Sequence, residues 1–117
     1  MTAIPVFPND GAGAAPRHMI EVEQYSPGYK AVRLYGDFDM TARADLLAAV
    51  DAIEPGTVVD VDLSGVTFLY SGAANILIDA AEAANGLVRL CAPHRPVEMI
   101  ITALGAGHLL TRPIAAA

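Results

Sequence analysis

The stretch Val58-Val59-Asp60-Val61-Asp62-Leu63-Ser64-Gly65-Val66-Thr67-Phe68-Leu69-Tyr70-Ser71-Gly72 constrains the fold more than any other part of the chain. Residues 57–63 carry apolar side chains on both sides at their start, the pattern of a central strand covered by helices. A tight turn and a second short apolar stretch are expected next, and then a helix over 71–84 with Ser71 at its mouth. Asn85-Gly86 ends that helix, because both residues tolerate left-handed backbone. Residues 87–92 form the next strand. Strand, helix and strand in so short a span make a βαβ unit, whose parallel strands need such a crossover.

The flanking segments fill out one sheet. From Met19, Ile20 and Val22 alternate with Glu21 and Glu23, the period of a half-buried strand. Ser26-Pro27-Gly28 is a turn, and residues 31–35 form a second strand with Val32 and Leu34 inward. The two pair as an antiparallel hairpin. Asp39 or Thr41 caps the next helix, in which Leu46, Val50 and Ile53 share one face with Leu47 beside them. Pro55-Gly56 stops it. Val97, Ile100, Ile101 and Leu104 follow helical spacing, giving a third helix that Gly105 ends. His108-Leu109-Leu110 is expected as a short edge strand. The predicted fold is α/β: a small mixed sheet of four to five strands with about three helices packed mainly on one face. Residues 1–17, with three prolines and the run Gly11-Ala12-Gly13-Ala14-Ala15, are expected as a flexible arm. The domain proper spans 18–111, and an Ala-rich tail over 112–117 frays.

Composition narrows the function. With 117 residues, the chain has room for one core. Seven basic against thirteen acidic residues leave a formal charge of −6. Nucleic acid needs a basic footprint, so it is an unsuitable partner; a basic groove on a protein suits better. Cys91 is the single cysteine, which leaves no internal disulfide or cysteine zinc site. The longest apolar run, near residues 99–110, is too short for a membrane span and is interrupted by Gly105, Gly107 and His108. No signal peptide is discernible. A soluble, cytoplasmic protein is expected.

Ser71 has three readings. Its oxygen can cap the helix, worth about 1 kcal/mol. A nucleophile elbow requires G-x-S-x-G, and the chain has Leu69-Tyr70-Ser71-Gly72-Ala73 with no triad histidine in view. A phosphate there would be well placed, because free amides and the helix dipole favour negative charge. Asp60 and Asp62 form a D-x-D pair that suits oxygen coordination of a metal, but such residues more often satisfy turn amides. His18, His94 and His108 are dispersed without ligand spacing. The Gly11-Ala12-Gly13 and Gly105-Ala106-Gly107 runs lack the strand before and the helix after that a phosphate loop needs. No complete catalytic constellation, metal site or cofactor site emerges, so turnover is not expected.

The order of elements and the segment Asp62-Leu63-Ser64-Gly65-Val66-Thr67-Phe68-Leu69-Tyr70-Ser71-Gly72 resemble the STAS domain of bacterial anti-sigma factor antagonists, where D-L-S-x-V-x-F-(I/L/M)-D-S-S-G-L is typical. Gly36-Asp37-Phe38-Asp39 resembles the family's G-E-(L/I)-D, and residues 97–105 resemble its last-helix pattern. The resemblance implies partner switching. The domain binds an anti-sigma factor of serine-kinase type and so frees a sigma factor, and phosphorylation of the second serine of D-S-S-G breaks the complex. Aligned without gaps, Tyr70 stands at the family's Asp, Ser71 at the first Ser, Gly72 at the phosphorylated Ser and Ala73 at the Gly. Ser71 becomes the candidate phosphorylation residue if the loop is one residue shorter. Otherwise the chain is an antagonist without the serine switch, or one switched by other means. The expected docking face combines Asp39, Tyr70, Ser71, Gly72 and Asn75. The partners expected are an anti-sigma factor or, as a homodimer, a second copy of the chain. The alternative role is a STAS sensing or assembly subunit of a transporter or stress-signalling complex.

Overall fold

The computed structural model describes residues 3–6, 17–91 and 93–111. One sheet organises them: β1 (Ala3–Val6), β2 (His18–Ser26), β3 (Tyr29–Phe38), β4 (Val58–Leu69), β5 (Val88–Cys91) and β6 (Leu110–Thr111), in that spatial order. The β1–β2 and β2–β3 pairs are antiparallel; β3–β4, β4–β5 and β5–β6 are parallel. Helices α1 (Arg43–Asp51), α2 (Ser71–Ala83) and α3 (Arg95–Ala103) make the crossovers that parallel neighbours require. The mixed α/β sheet with three helices is the expected architecture, with six strands in place of four or five.

The added strand is β1. It lies inside the arm expected at 1–17 and pairs Ile4 with Val22 and Val6 with Ile20. An edge position tolerates Pro5, whose missing N–H can face away from the ladder. The remainder of that arm before Arg17, and the tail expected over 112–117, lie outside the described residues. At the other edge, the residues expected as a strand at 108–110 divide into a 3₁₀ turn over Gly107–Leu109 and the two-residue β6.

The core lies on the helical side of the sheet. Ile20 and Leu34 from the hairpin, Val59 and Leu63 from β4, and Leu90 from β5 meet Leu46, Leu77, Val97 and Ile101 from the three helices. Apolar burial of this kind is the main term favouring the folded state. The other sheet face carries a polar network. The Tyr29 hydroxyl donates to Asp60 Oδ2 at 2.6 Å, and Arg89 Nε donates to Asp60 Oδ1 at 2.6 Å. Arg33 pairs with Glu23 at 2.5 Å and donates to the Tyr25 hydroxyl. The bond to Asp60 raises the pKa of Tyr29, and burial raises that of the Cys91 thiol.

The turn expected after Leu63 is absent. β4 runs unbroken for 12 residues against the 10 of β3, and two bulges absorb the difference. The register moves from Arg33↔Asp62 to Tyr35↔Gly65, and again from Gly36↔Val66 to Asp37↔Phe68. Burial records the same shifts: Val59, Val61 and Leu63 alternate, after which the buried residues are Val66 and Leu69. Each bulge adds one residue, so the apolar spacing changes from two to three. The amide of Ser64 is taken up by Asp62 Oδ1 at 2.9 Å, so this aspartate serves a bulge amide.

Candidate functional site

The bulged half of β4 delivers the chain to one end of the sheet, where β3 also finishes. Phe38 pairs with Leu69, and the Tyr70 N–H donates to the Phe38 carbonyl at 3.1 Å. Asp39 follows Phe38, and Ser71 follows Tyr70. Asp39, Tyr70, Ser71, Gly72 and Asn75 therefore gather at the C-terminal ends of two adjacent parallel strands, where loops of a parallel sheet present residues to ligands and partners.

Asp39 is anchored. Its Oδ1 accepts the Thr41 amide at 2.9 Å and the Thr41 hydroxyl at 2.5 Å, capping the 3₁₀ turn Met40–Ala42. The Thr41 hydroxyl and amide together hold its carboxyl below the ordinary carboxylate value. Between Asp39 and Thr41 as caps, the side-chain bond falls to Asp39, and α1 itself starts from Ala42 without a side-chain cap. Arg17 Nη1 lies 3.6 Å from Asp39 Oδ2 and 3.9 Å from Asp37 Oδ2. Its backbone closes on the same loop: the Asp37 N–H donates to the Arg17 carbonyl at 2.8 Å. Gly36 permits this approach. It has φ +90, and a methyl group there would lie 2.2 Å from the Arg17 carbonyl oxygen.

Ser71 does not cap α2. The N-cap is Tyr70, with φ −76 and ψ 161, and its carbonyl accepts the Ala74 N–H at 3.0 Å. Ser71 is the first helical residue, exposed at N1. The cap assignment fails because backbone geometry decides the cap, and the extended residue is one position earlier than the hydroxyl. Asn75, also exposed, lies one turn along from Ser71 on the same helical face. Ala73 and Ala74 turn into the core.

Two exposed apolar side chains at this end were not anticipated. Phe68 is 51% exposed and Met40 75% exposed. Phe68 belongs to an apolar stretch, but the second bulge turns it out and keeps Leu69 in. The spacing Leu63, Val66, Leu69 was the available signal: apolar residues three apart in a strand mark bulges. At the opposite end of the domain, α1, α2 and the starts of β4 and β5 enclose a mostly apolar cleft of about 430 Å³, lined by Val50, Ile53, Ala80 and Leu87 among others.

His18, expected to have no acid/base or metal role, is buried. Its Nε2 lies 2.9 Å from Asp45 Oδ2, and its ring lies 5.2 Å from that of Phe38. Among the described residues, no three His, Cys, Asp or Glu side chains come together as a metal site, and no helix is long and apolar enough to cross a membrane.

The mixed sheet with three helices is a STAS-like α/β fold. The family model described as Mlab, STAS domain matches residues 23–111, and the chain belongs to the STAS domain family. An anti-sigma factor antagonist from Mycobacterium paratuberculosis shares the fold with a TM-score of 0.72 at 23% identity, over 88% of this chain and 92% of that one. The unphosphorylated anti-sigma factor antagonist SpoIIAA superposes with a TM-score of 0.64 at 15% identity, over 82% and 89%. The phosphorylated form of the Bacillus cell fate determinant SpoIIAA gives 0.57 at 13%, over 82% and 92%. No curated protein sequence matches the chain.

Proposed function

We propose that the chain is an anti-sigma factor antagonist that docks the end of β3 and β4 onto an anti-sigma factor of serine-kinase type, and so releases a sigma factor. The observation that carries this reading is the gathering of Asp39, Tyr70, Ser71, Gly72 and Asn75 beside the exposed Phe68 and Met40. Exposed apolar side chains ringed by polar ones mark protein contact surfaces, and tyrosine is enriched among the residues that dominate binding energy. The formal charge of −6 suits a basic partner. Membership of the STAS family and the shared fold of anti-sigma factor antagonists support the same role.

Docking here works without the family's serine switch. Gly72 has no hydroxyl to accept a phosphate, and Ser71 stands at N1, one position away from that switch. A phosphate would bring about −1.5 to −2 charges to the interface; without an acceptor, control passes to partner concentration. Pull-down with serine-kinase-type anti-sigma factors from the same cell tests docking, with Tyr70→Ala as the control. Incubation with the captured kinase and ATP, followed by mass spectrometry, tests the switch. The expected result is capture with no phosphate on Ser71. Phosphate on Ser71 that abolishes capture would contradict the switchless reading.

The missing acceptor also favours a second reading, in which the same end seats the domain in a transporter or stress-signalling assembly. A high-order particle in size measurement, or co-purification with membrane ATPase subunits, would select it over the first.

A further inference from the structure

Tyr70 has both backbone groups engaged: its N–H goes to Phe38 and its carbonyl to Ala74. Only its side chain is free to choose a position. The ring packs against the edge of the core, and its phenol end lies where the Cβ of a residue at 72 would be. A methyl group at position 72 would fall 2.5 Å from Tyr70 Cε2 and 2.6 Å from both Cζ and Oη. Contacts that short do not occur between unstrained atoms, so the ring fills the space a side chain at 72 would need. Gly72 itself sits in the first turn of α2, where glycine costs helix stability relative to alanine. Its presence there needs a reason, and the seated ring supplies one.

Resting on the docking reading above, we propose that Tyr70 and Gly72 form one specificity-determining unit. The bare Cα of Gly72 is the seat for the Tyr70 ring. The seated ring, with its hydroxyl where a residue-72 side chain would project, is what the docking face offers. A ring held in one rotamer loses little conformational freedom on binding, which favours affinity. The partner surface that fits is an apolar pocket sized for an aromatic ring, with a hydrogen-bond acceptor for the phenol. No side-chain hydroxyl can be displayed at 72 while the ring is seated.

The test is a double-mutant cycle on the isolated chain, Tyr70→Ala crossed with Gly72→Ala, followed by denaturant unfolding. With Tyr70 present, Gly72→Ala should raise the midpoint less than it does in Tyr70→Ala, or lower it, because the phenol end of the ring must swing aside. With Tyr70→Ala, the same change should raise it, since alanine is the better helix former. Should Gly72→Ala alone fail to fold, its rescue by Tyr70→Ala is the same coupling in stronger form. The Gly72 Hα resonances should be displaced by the ring current and return to ordinary values in Tyr70→Ala. A midpoint raised equally in both backgrounds, or unshifted Hα resonances, overturns the proposal. Against the anti-sigma factor retained in pull-down, Gly72→Ala should weaken binding tenfold or more with Tyr70 present and add little without it. Equal losses in both backgrounds overturn the specificity claim. A coupled cycle in a chain that captures no partner removes the docking reading and leaves the seated ring standing; an additive cycle with capture intact does the reverse.

Discussion

The two halves of β4 are built on different rules. Residues 59–62 pair with β3 on one side and β5 on the other, and alternate strictly between core and polar face. Beyond Asp62, among the described residues, the strand pairs with β3 alone, and two bulges break the alternation. The first half is held from both sides, and its inward residues alternate into the core. The second half is held from one side; its bulges keep Val66 and Leu69 in the core and turn Phe68 outward. Regular pairing supplies stability; the irregular pairing positions the surface proposed for docking.

The polar residues differ in the same way. On the open sheet face, Asp60 is bonded by both Tyr29 and Arg89, and Arg33 by Glu23 and Tyr25. These groups satisfy one another and have little left for a partner. At the end of β3 and β4, Phe68 and Met40 are exposed, and Ser71 and Asn75 face outward from α2.

The contrast can be broken most strongly from the core side. Leu63→Ala, at the fully buried position that closes the alternating run of β4, should cost about 2–5 kcal/mol in denaturant unfolding. Tyr70→Ala should weaken partner binding at least about tenfold, or roughly 1.4 kcal/mol, by titration calorimetry. Phe68→Ala, only five residues from Leu63, should leave folding stability within about 0.5 kcal/mol, because the side chain is half exposed, while reducing partner binding. A Phe68 that proved as costly to folding as Leu63 would erase the distinction between the halves.

The smallest effect concerns Asp39. Its pKa is lowered in the folded chain, so its contribution to stability is complete above the ordinary carboxylate value and is lost as the pH falls through the lowered one. Thermal midpoints of the parent should exceed those of Asp39→Asn at neutral pH and converge with them in acid. Parallel curves from neutral pH to about pH 2.5, below the ordinary carboxylate range, would mean that Thr41 does not hold the ionised carboxylate.

Much of the fold is legible in the sequence because its signals are local. The hairpin turn at Pro27-Gly28, the i, i+3, i+4 spacing of Val97, Ile100 and Ile101, and the stop at Gly105 depend on neighbours in the chain. The failures are non-local. β1 exists because it pairs with β2, more than ten residues away in sequence, and its four residues with a proline carry little strand signal alone. Ser64-Gly65 resembles a turn, but β3 alongside converts it to a bulge. Ser71 resembles a cap by residue type, while the backbone places the cap at Tyr70. Of the five residues proposed for docking, Asp39, Tyr70, Ser71 and Gly72 stand in family motifs, and Asn75 lies just past one. The placing of the Tyr70 phenol at Gly72 could not be read there, because it depends on a side-chain direction.

The central claim is that the end of β3 and β4 is the docking surface. Its most direct test is a titration of the ¹⁵N-labelled chain with a serine-kinase-type anti-sigma factor that pull-down retains, followed by amide shifts. The account predicts that the largest changes fall on Asp39, Phe68, Tyr70, Ser71 and Asn75, with Asp60, Arg89 and Thr57 unmoved. Largest changes on the open sheet face around Asp60 and Arg33, or at the cleft around Ile53 and Leu87, would contradict it.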